Sequence, residues 1–539
     1  MSTTTQFKKS EIGPNLSAMS RLRTIVETPF YGNNVVPIAN LQEAYDLAVA
    51  SPGTIVTDLP VEKPEHLGLR PGARVLLFND GAVTGRAAAA RRIVGMEGVD
   101  PDDLNRKVMD AVYATRRRKL YHAQVIVGLD EDFMVRAHLL IPEGEENLLY
   151  DWMLNFQPFT ADYQKRYEAS KAYADEGDIY IFSDPQWSHP EHPLGLTYFD
   201  PEHNCAALLG MHYFGEHKKG TLTLAWAIAN RNGFASCHGG CKVLKKEGKE
   251  PYTLAVFGLS GSGKSTITHA THGGRYYIKV LHDDAFIIHT EDRYAVAMEP
   301  TYFDKTQDYP VDSPDNRYLL TVQNCGATRC DDKVVIVSED LRNGNGRAIK
   351  SRLWSPNRVD RLDEKIRGIC WIMKDPTLPP LLRVNDPTLA SLMGATLSTK
   401  RTSAERLAKG VDPNALVIEP YANPFRTYPL GDDFTKFKGL FENGVSCYIL
   451  NTGFFFDKKV PKEITLEAVE QIVDGRGEWQ PLPDYPTFSY VTWDDFPLPA
   501  HFKEDFQKSL AVRADFLKAQ HGYNALPSEA VQAFCKLLR

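Results

Sequence analysis

Tyr252-Thr-Leu-Ala-Val-Phe257 runs directly into Gly258-Leu-Ser-Gly-Ser-Gly-Lys-Ser265, and that into Thr266-Ile-Thr-His-Ala270. The first six residues form a short apolar run between Pro251 and Gly258, which predicts a buried strand. The next eight match G-x-x-x-x-G-K-[ST] in full, and the last five have the character of a helix start. Strand, glycine-rich turn and helix is the order a phosphate cradle requires. Glycines let successive backbone N–H groups converge on phosphate oxygens, and the N-terminus of the following helix adds the positive end of its dipole. The cradle is Gly258, Leu259, Ser260, Gly261, Ser262, Gly263, Lys264 and Ser265, with Ser260 and Thr266 as further phosphate or substrate contacts. Lys264 reaches the β- and γ-phosphates, and Ser265 offers its hydroxyl to Mg²⁺. A ligand-free glycine turn is the plainer reading, and the strand and helix flanks argue against it.

Downstream, Tyr276-Tyr-Ile-Lys-Val-Leu281 leads through His282 to Asp283-Asp284. Adjacent carboxylates at a strand end suit hard cations, and their position just after a phosphate loop makes them a Walker-B-like pair more readily than a helix cap.

Composition restricts what else the chain can do. Its 539 residues predict two or three domains of ordinary size, and 43% hydrophobic with 24% charged residues is a soluble globular composition. A formal net charge of −7 supplies no global attraction for nucleic acid or anionic membranes. The basic run Thr115-Arg-Arg-Arg-Lys119 reads as a solvated helix face. The eight cysteines lack the dense spacing of a disulfide framework, the first residues lack an apolar leader core, and no run of 18 apolar residues occurs, so a cytoplasmic protein is expected.

Probable strands in the first half include Arg74–Phe78, Gln124–Val127 and Ile179–Phe182, alternating with helical segments over Leu104–Arg117 and Thr160–Ala174. The charged, Gly- and Pro-containing stretch Lys245–Pro251 predicts a boundary between an N-terminal substrate-binding domain over 1–250 and a C-terminal nucleotide-binding domain over 251–539, though it also fits a surface hairpin. Buried strands are expected at Val334–Val337, Gly368–Met373 and Ser446–Leu450. There is no internal repeat.

Motifs on both sides of the phosphate loop widen the match. Tyr213-Phe-Gly-Glu-His-Lys-Lys-Gly220, Ala235-Ser-Cys-His238, Thr84-Gly-Arg86, Pro379-Pro-Leu-Leu-Arg383 and Tyr448-Ile-Leu-Asn-Thr-Gly453 follow, in order along the chain, motifs of one family. On these residues the chain resembles the ATP-dependent phosphoenolpyruvate carboxykinases, from about residue 80 to about 470. The resemblance implies a two-lobed α/β fold, with a mixed-sheet N-terminal domain, a P-loop C-terminal domain and the active site in the cleft. It implies the conversion of oxaloacetate and ATP into phosphoenolpyruvate, ADP and CO₂, with Mn²⁺ and Mg²⁺. Composition and spacing alone stop at a P-loop phosphotransferase.

By the same resemblance Arg86 and Tyr213 hold a substrate carboxylate, and Arg383 bridges substrate and γ-phosphate. Lys219, His238 and Asp284 ligate Mn²⁺, which requires a neutral Lys219, a form that a dication and the adjacent Lys218 favour. Lys218 is a phosphate contact, Asp283 holds metal-bound water beside the Ser265-bound Mg²⁺, and Arg352 matches a γ-phosphate arginine. His238 with Cys237 and Cys241 also fits a partial zinc site, but no second ligand pair follows at zinc-finger spacing. The chain departs from the family at Ala87-Ala-Ala-Ala-Arg-Arg92, at His282 and at Phe454-Phe-Phe-Asp457, which predicts altered support around Arg86 and an altered adenine pocket. Two other functions fit the motifs: a kinase of this fold acting on another small carboxylate or on a protein, and a nucleotide-binding regulator without catalysis. A closing lid is expected, because an enolate intermediate must be kept from water.

Overall fold

The computed structural model describes residues 20–79, 87–173, 176–259, 261–306, 312–337, 346–400 and 416–539. Thr84-Gly-Arg86 and Ser260 lie outside the described residues. The described chain is a mixed α/β structure that divides into two compact units. One holds the described residues up to Ile228 together with Met298–Pro356, and the other holds Ala229–Ala297 and the described residues from Asn357 to Arg539.

In the first unit, α1 (Pro101–Thr115) begins where Asp100 accepts the amides of Asp102 and Asp103 and Pro101 takes the first turn. An eight-stranded mixed sheet runs in the order Val35–Pro37, Leu120–Asp130, Phe133–Pro142, β1 (Ile179–Asp184), Cys205–Leu209, β2 (Leu196–Asp200) and Arg91–Ile93, with Gln157–Pro158 at one side. Both β1 and β2 are buried at every position, so they read as continuous apolar runs without alternation. The helix α2 (Phe214–Arg231) follows, and a five-stranded sheet includes Arg74–Phe78, Leu319–Gln323 and Arg347–Lys350.

The second unit is built on an eleven-stranded mixed sheet. Its centre is β3 (Phe234–Lys245) beside β4 (Tyr252–Phe257), which leads into α3 (Lys264–His269). Two strands, β5 (Tyr277–His282) and β6 (Ala285–His289), pair in succession with the two halves of β3. On the other side of β4 come β7 (Ile366–Met373), then β9 (Ser446–Asn451), then β8 (Leu381–Val384); β4, β7 and β9 are parallel, and β8 is antiparallel to β9. The helices α4 (Leu430–Glu442) and α5 (Lys462–Asp474) complete the parts used below. Val256, Cys370, Tyr448 and Leu450 pack with Ile267 of α3 and with Ala468, Val469 and Ile472 of α5 in one buried cluster.

Three expectations change. The charged segment Lys245–Pro251 is the turn of a hairpin, since Leu244 pairs with Tyr252, so a boundary at 250 would cut a continuous pair of strands. The units part at 228 and 229 instead, and residues 298–356 return to the first unit. Val334–Val337 does form a strand, but in a half-buried two-stranded hairpin with Gly326–Cys330 and not in a core sheet. The helix expected over 160–174 ends at Ala169, because Ser170 takes an extended conformation.

Candidate phosphate and metal site

The phosphate loop leaves the C-terminal end of β4 and enters α3 through Gly263, whose φ of +98° lies in the left-handed region where a Cβ is strained. Ser262 N–H donates to the Leu259 carbonyl at 3.0 Å and Ile267 N–H to the Gly263 carbonyl at 2.9 Å, closing the turn and the first helical bond. Two carbonyls of the loop are engaged by side chains: Thr452 Oγ1 donates to the Ser262 carbonyl at 2.7 Å, and Lys374 Nζ donates to the Gly261 carbonyl at 2.9 Å. A peptide's N–H and C=O point in opposite directions, so anchoring the Ser262 carbonyl on Thr452 turns the Gly263 amide away from Thr452, while the Ser262 amide stays within the turn on Leu259. Gly263→Ala is therefore expected to weaken nucleotide affinity at least tenfold and to cost roughly 1–2 kcal/mol of stability. Isothermal titration with ATP and thermal melting measure both effects.

The seat of α3 is set from β3. A Cβ on Gly240 would lie 1.9 Å from Thr268 Oγ1, so only glycine lets the helix approach this closely. Two residues further along β3, the buried Lys242 donates to the Ile267 carbonyl at 2.6 Å and to the Ala270 carbonyl at 3.3 Å, placing an amine at the C-terminal end of α3. Its Nζ also reaches His272 Nε2 at 3.0 Å, and His272 Nδ1 reaches Glu470 Oε1 at 3.0 Å. Burial lowers the Lys242 ammonium to about 7.

Beside the loop, three predicted residues converge on one oxygen. Asp284 Oδ1 is 3.0 Å from His238 Nε2 and 3.4 Å from Lys264 Nζ. The register explains the convergence: His238 on β3 lies opposite Ala285, the first residue of β6, and the Gly239 amide donates to the Asp284 carbonyl at 3.0 Å. The acidic pair is thus the junction between two strands that both pair with β3, and not the end of a strand lying beside β4. His282 shapes that junction, because its Nδ1 accepts the amides of Asp284 at 3.0 Å and Ala285 at 3.2 Å.

His238 Nδ1 lies 2.5 Å from the Ala422 carbonyl, which can only accept, so that nitrogen carries the proton. In neutral His238 the Nε2 lone pair then faces the Asp284 carboxylate. Two electron-pair donors 3.0 Å apart are satisfied by a proton or by a cation, and a carbonyl-oriented imidazole with a carboxylate is a standard donor set for a divalent metal. His238 and Asp284 therefore fit the group. Ala422 and Tyr421 hold positive φ values of 53° and 54°, and the Phe425 ring stands edge-on to His238 at 5.3 Å, so this segment orients the imidazole at some backbone cost. The segment at 421–425 carries no sequence motif, and its role arises only from packing. Lys374 was equally hidden, signalled only by its place at the end of a buried strand.

The neighbouring carboxylate behaves differently. Burial alone would push Asp283 up, but His269 at 3.4 Å, with Lys264 close by, holds its carboxyl well below the usual range. It is ionised and cation-facing, as a carboxylate that orients metal-bound water must be. Ser265 and Thr266 are exposed at the start of α3, Leu259 and Ser262 are buried, and Gly258 begins the loop. Arg383 sits apart. It lies on β8, three strands from β4 and so roughly 14 Å across the sheet, with its guanidinium over the Trp479 ring at 4.6 Å and Nε donating to Asn385 at 3.0 Å.

The first unit carries the remaining candidates. Tyr213 precedes α2 and folds back over Gly215, where a Cβ would lie 2.3 Å from its ring. Lys218, fully buried in the first turns of α2, pairs with Glu299 at 3.0 Å, while the half-buried Lys219 lies 5.8 Å from the Trp226 ring. The Glu299 carboxylate offsets the Lys218 charge, so the repulsion expected to keep Lys219 neutral is weakened. Arg352 is half-buried and opens the short turn Arg352–Trp354.

The phosphoenolpyruvate carboxykinase family model matches residues 70–297, which include the α2 lysines, His238, the phosphate loop and the acidic pair. Over this stretch, less than half of its length, the chain is similar to the phosphoenolpyruvate carboxykinases. The enzyme named phosphoenolpyruvate carboxykinase (ATP) from Aeropyrum pernix is 28% identical over 294 residues, 51% of this chain and 58% of its own length. That of Dictyostelium discoideum is 24% identical over 225 residues, 38% of each chain. A glycosomal enzyme of the same name from Trypanosoma cruzi is 26% identical over 245 residues, 41% of this chain and 48% of its own. The chain thus spans about half the length of the curated relatives it matches.

Proposed function

We propose that the protein is an ATP-dependent phosphoenolpyruvate carboxykinase that converts oxaloacetate and ATP into phosphoenolpyruvate, ADP and CO₂. The observation that carries this reading is the meeting of His238 and Lys264 on the single Asp284 oxygen, 3.0 and 3.4 Å away, in a stretch similar to that family. A simple nucleotide binder needs Lys264 but has no use for a histidine and a carboxylate poised for a metal beside it. A carboxykinase needs both, because decarboxylation leaves an enolate oxygen that must be stabilised next to the γ-phosphate it attacks.

Within this reading the loop amides cradle the β- and γ-phosphates, and Lys264 exchanges its pairing with Asp284 for the phosphate oxygens, where it offsets charge developing on the leaving ADP. His238 and Asp284 would hold a divalent cation, Mn²⁺ by resemblance, which would supply Lewis acidity for the enolate oxygen. Ser265 would offer its hydroxyl to nucleotide-bound Mg²⁺, with Asp283, ionised and buried, as an acceptor beside it. Arg86 and Tyr213 bind the substrate carboxylate, and Lys219 is the third metal donor. Arg383 reaches substrate only by leaving Trp479. The finer fold reading goes with this function: a two-lobed carboxykinase-like fold with a substrate-binding and a nucleotide-binding part. No described helix is long and apolar enough to cross a membrane, and all eight cysteines are free thiols, which suits the reducing cytosol.

Incubation of the purified protein with oxaloacetate, ATP and Mn²⁺ is expected to yield phosphoenolpyruvate and CO₂ in equal amounts. ATP binding with neither product would refute the carboxykinase reading. Lys219→Ala is expected to reduce kcat at least 10²-fold while changing the Kd for ATP less than threefold, since its role is in the chemistry and not in the cradle. Unchanged turnover would remove Lys219 from the metal site.

A further inference from the structure

The loop between β1 and β2 contains Trp187-Ser-His189-Pro-Glu191-His192-Pro193, which the family function does not use. Donor atoms of His189, Glu191 and His192 all lie within 4.8 Å of one another. We propose that these three side chains form a Zn²⁺ site.

Four observations carry the proposal. The first is the ligand set: two imidazoles and a carboxylate with room for water match the three-protein-ligand zinc sites, and nitrogen donors favour zinc over Mg²⁺ or Ca²⁺. Tetrahedral donors around zinc stand about 3.4 Å apart, so small side-chain rotations bring this group to bonding distance. Second, the loop is already shaped. His189 and His192 each precede a proline, which restricts them to extended backbone, and the His192 amide donates to the His189 carbonyl at 3.0 Å to close the turn that sets their spacing.

Third, the rings are held in place but their nitrogens are not committed. Trp187 stacks on His189 at 5.7 Å and 9°, and packs against His192 at 6.0 Å. His192 Nε2 is buried without a hydrogen-bond partner, which is costly unless something occupies it. His189 Nδ1 accepts only the Glu191 amide, at a long 3.2 Å. Fourth, the carboxylate is oriented: Lys107 donates to Glu191 Oε2 at 2.5 Å, which leaves Oε1 for the metal. Lys107 belongs to α1 and also pairs with Asp103, so the carboxylate is anchored to a helix.

The test uses full-length protein without affinity-tag histidines, stripped with chelator and titrated with Zn²⁺ against a chromophoric competitor in excess Mg²⁺. The wild-type protein is expected to bind one equivalent more than His189→Ala/His192→Ala, and His238→Ala is expected to retain that equivalent. Co²⁺ in its place is expected to give visible absorption bands that the double variant lacks. Equal Zn²⁺ stoichiometry and affinity in wild type and double variant overturns the proposal, as does loss of the extra equivalent in His238→Ala. If the double variant does not fold, Glu191→Gln at the exposed ligand decides: a tenfold or greater loss of Zn²⁺ affinity supports the site, and unchanged affinity with an unchanged Co²⁺ spectrum overturns it.

Discussion

Asp284→Asn is expected to lower metal-dependent turnover by about 10³-fold while leaving ATP bound. The carboxylate oxygen that faces His238 Nε2 at 3.0 Å is also the one that faces Lys264 Nζ at 3.4 Å, so a single charge serves two partners. An amide has nearly the same shape but no charge. It is a weak ligand for a divalent cation and a weak partner for an ammonium, so metal affinity falls. Lys264 is at the same time released toward the phosphates, which opposes any loss of nucleotide affinity. The two readouts should therefore separate: kcat with Mn²⁺ falls, and the Kd for ATP measured without substrate stays within about threefold of wild type or tightens. Retention of turnover within tenfold would mean that Asp284 is a structural partner of His238 and not a metal ligand. A matching loss in His238→Ala, with no further loss in the double variant, would identify the two residues as one functional unit.

Asp433→Asn is expected to stabilise the protein in alkaline buffer by about 2–4 kcal/mol and to leave it unchanged in acid. Asp433 lies in the first turn of α4 and is fully buried; burial lifts its carboxyl from 3.8 to about 7, and Arg426 and the Tyr428 hydroxyl offset only part of that. The folded state thus binds the proton more tightly than the unfolded chain does. Stability must fall as pH rises from about 4 to about 7, and the whole penalty persists above that window. Asparagine has no charge to bury, so thermal melting of the variant should lose this slope and exceed wild type by several degrees at pH 8. Equal melting temperatures at pH 8, or an identical pH slope, would show that Asp433 is compensated in the fold. The group lies behind β3, where Tyr428 also reaches Ser236, two residues before His238, so the same variant reports whether the strand carrying His238 depends on this charge.

Local chemistry made much of this legible. The phosphate loop was readable because each residue type answers a backbone requirement within eight consecutive positions, and the strands of the second unit were readable because those buried on both faces are plain apolar runs. The Lys245–Pro251 stretch misled because charge with Gly and Pro marks a hairpin turn as readily as a domain boundary; only pairing partners distinguish them. Arg383 occurs in the expected motif, yet its side chain settled on Trp479, a residue 96 positions later that no motif announces.

The amino-acid sequence by itself carried the phosphate-loop pattern at Gly258–Ser265, the residue types proposed to hold a metal and a substrate dianion, and the resemblance to the carboxykinases. Only the tertiary structure decided which of those residues meet. His238 faces Asp284 because β3 pairs with β6 in one register, and the imidazole turns its Nε2 toward that carboxylate because the Ala422 carbonyl, 184 residues away, takes the other nitrogen's proton. Strand register and ring orientation arise from contacts between distant segments, and no local pattern encodes them.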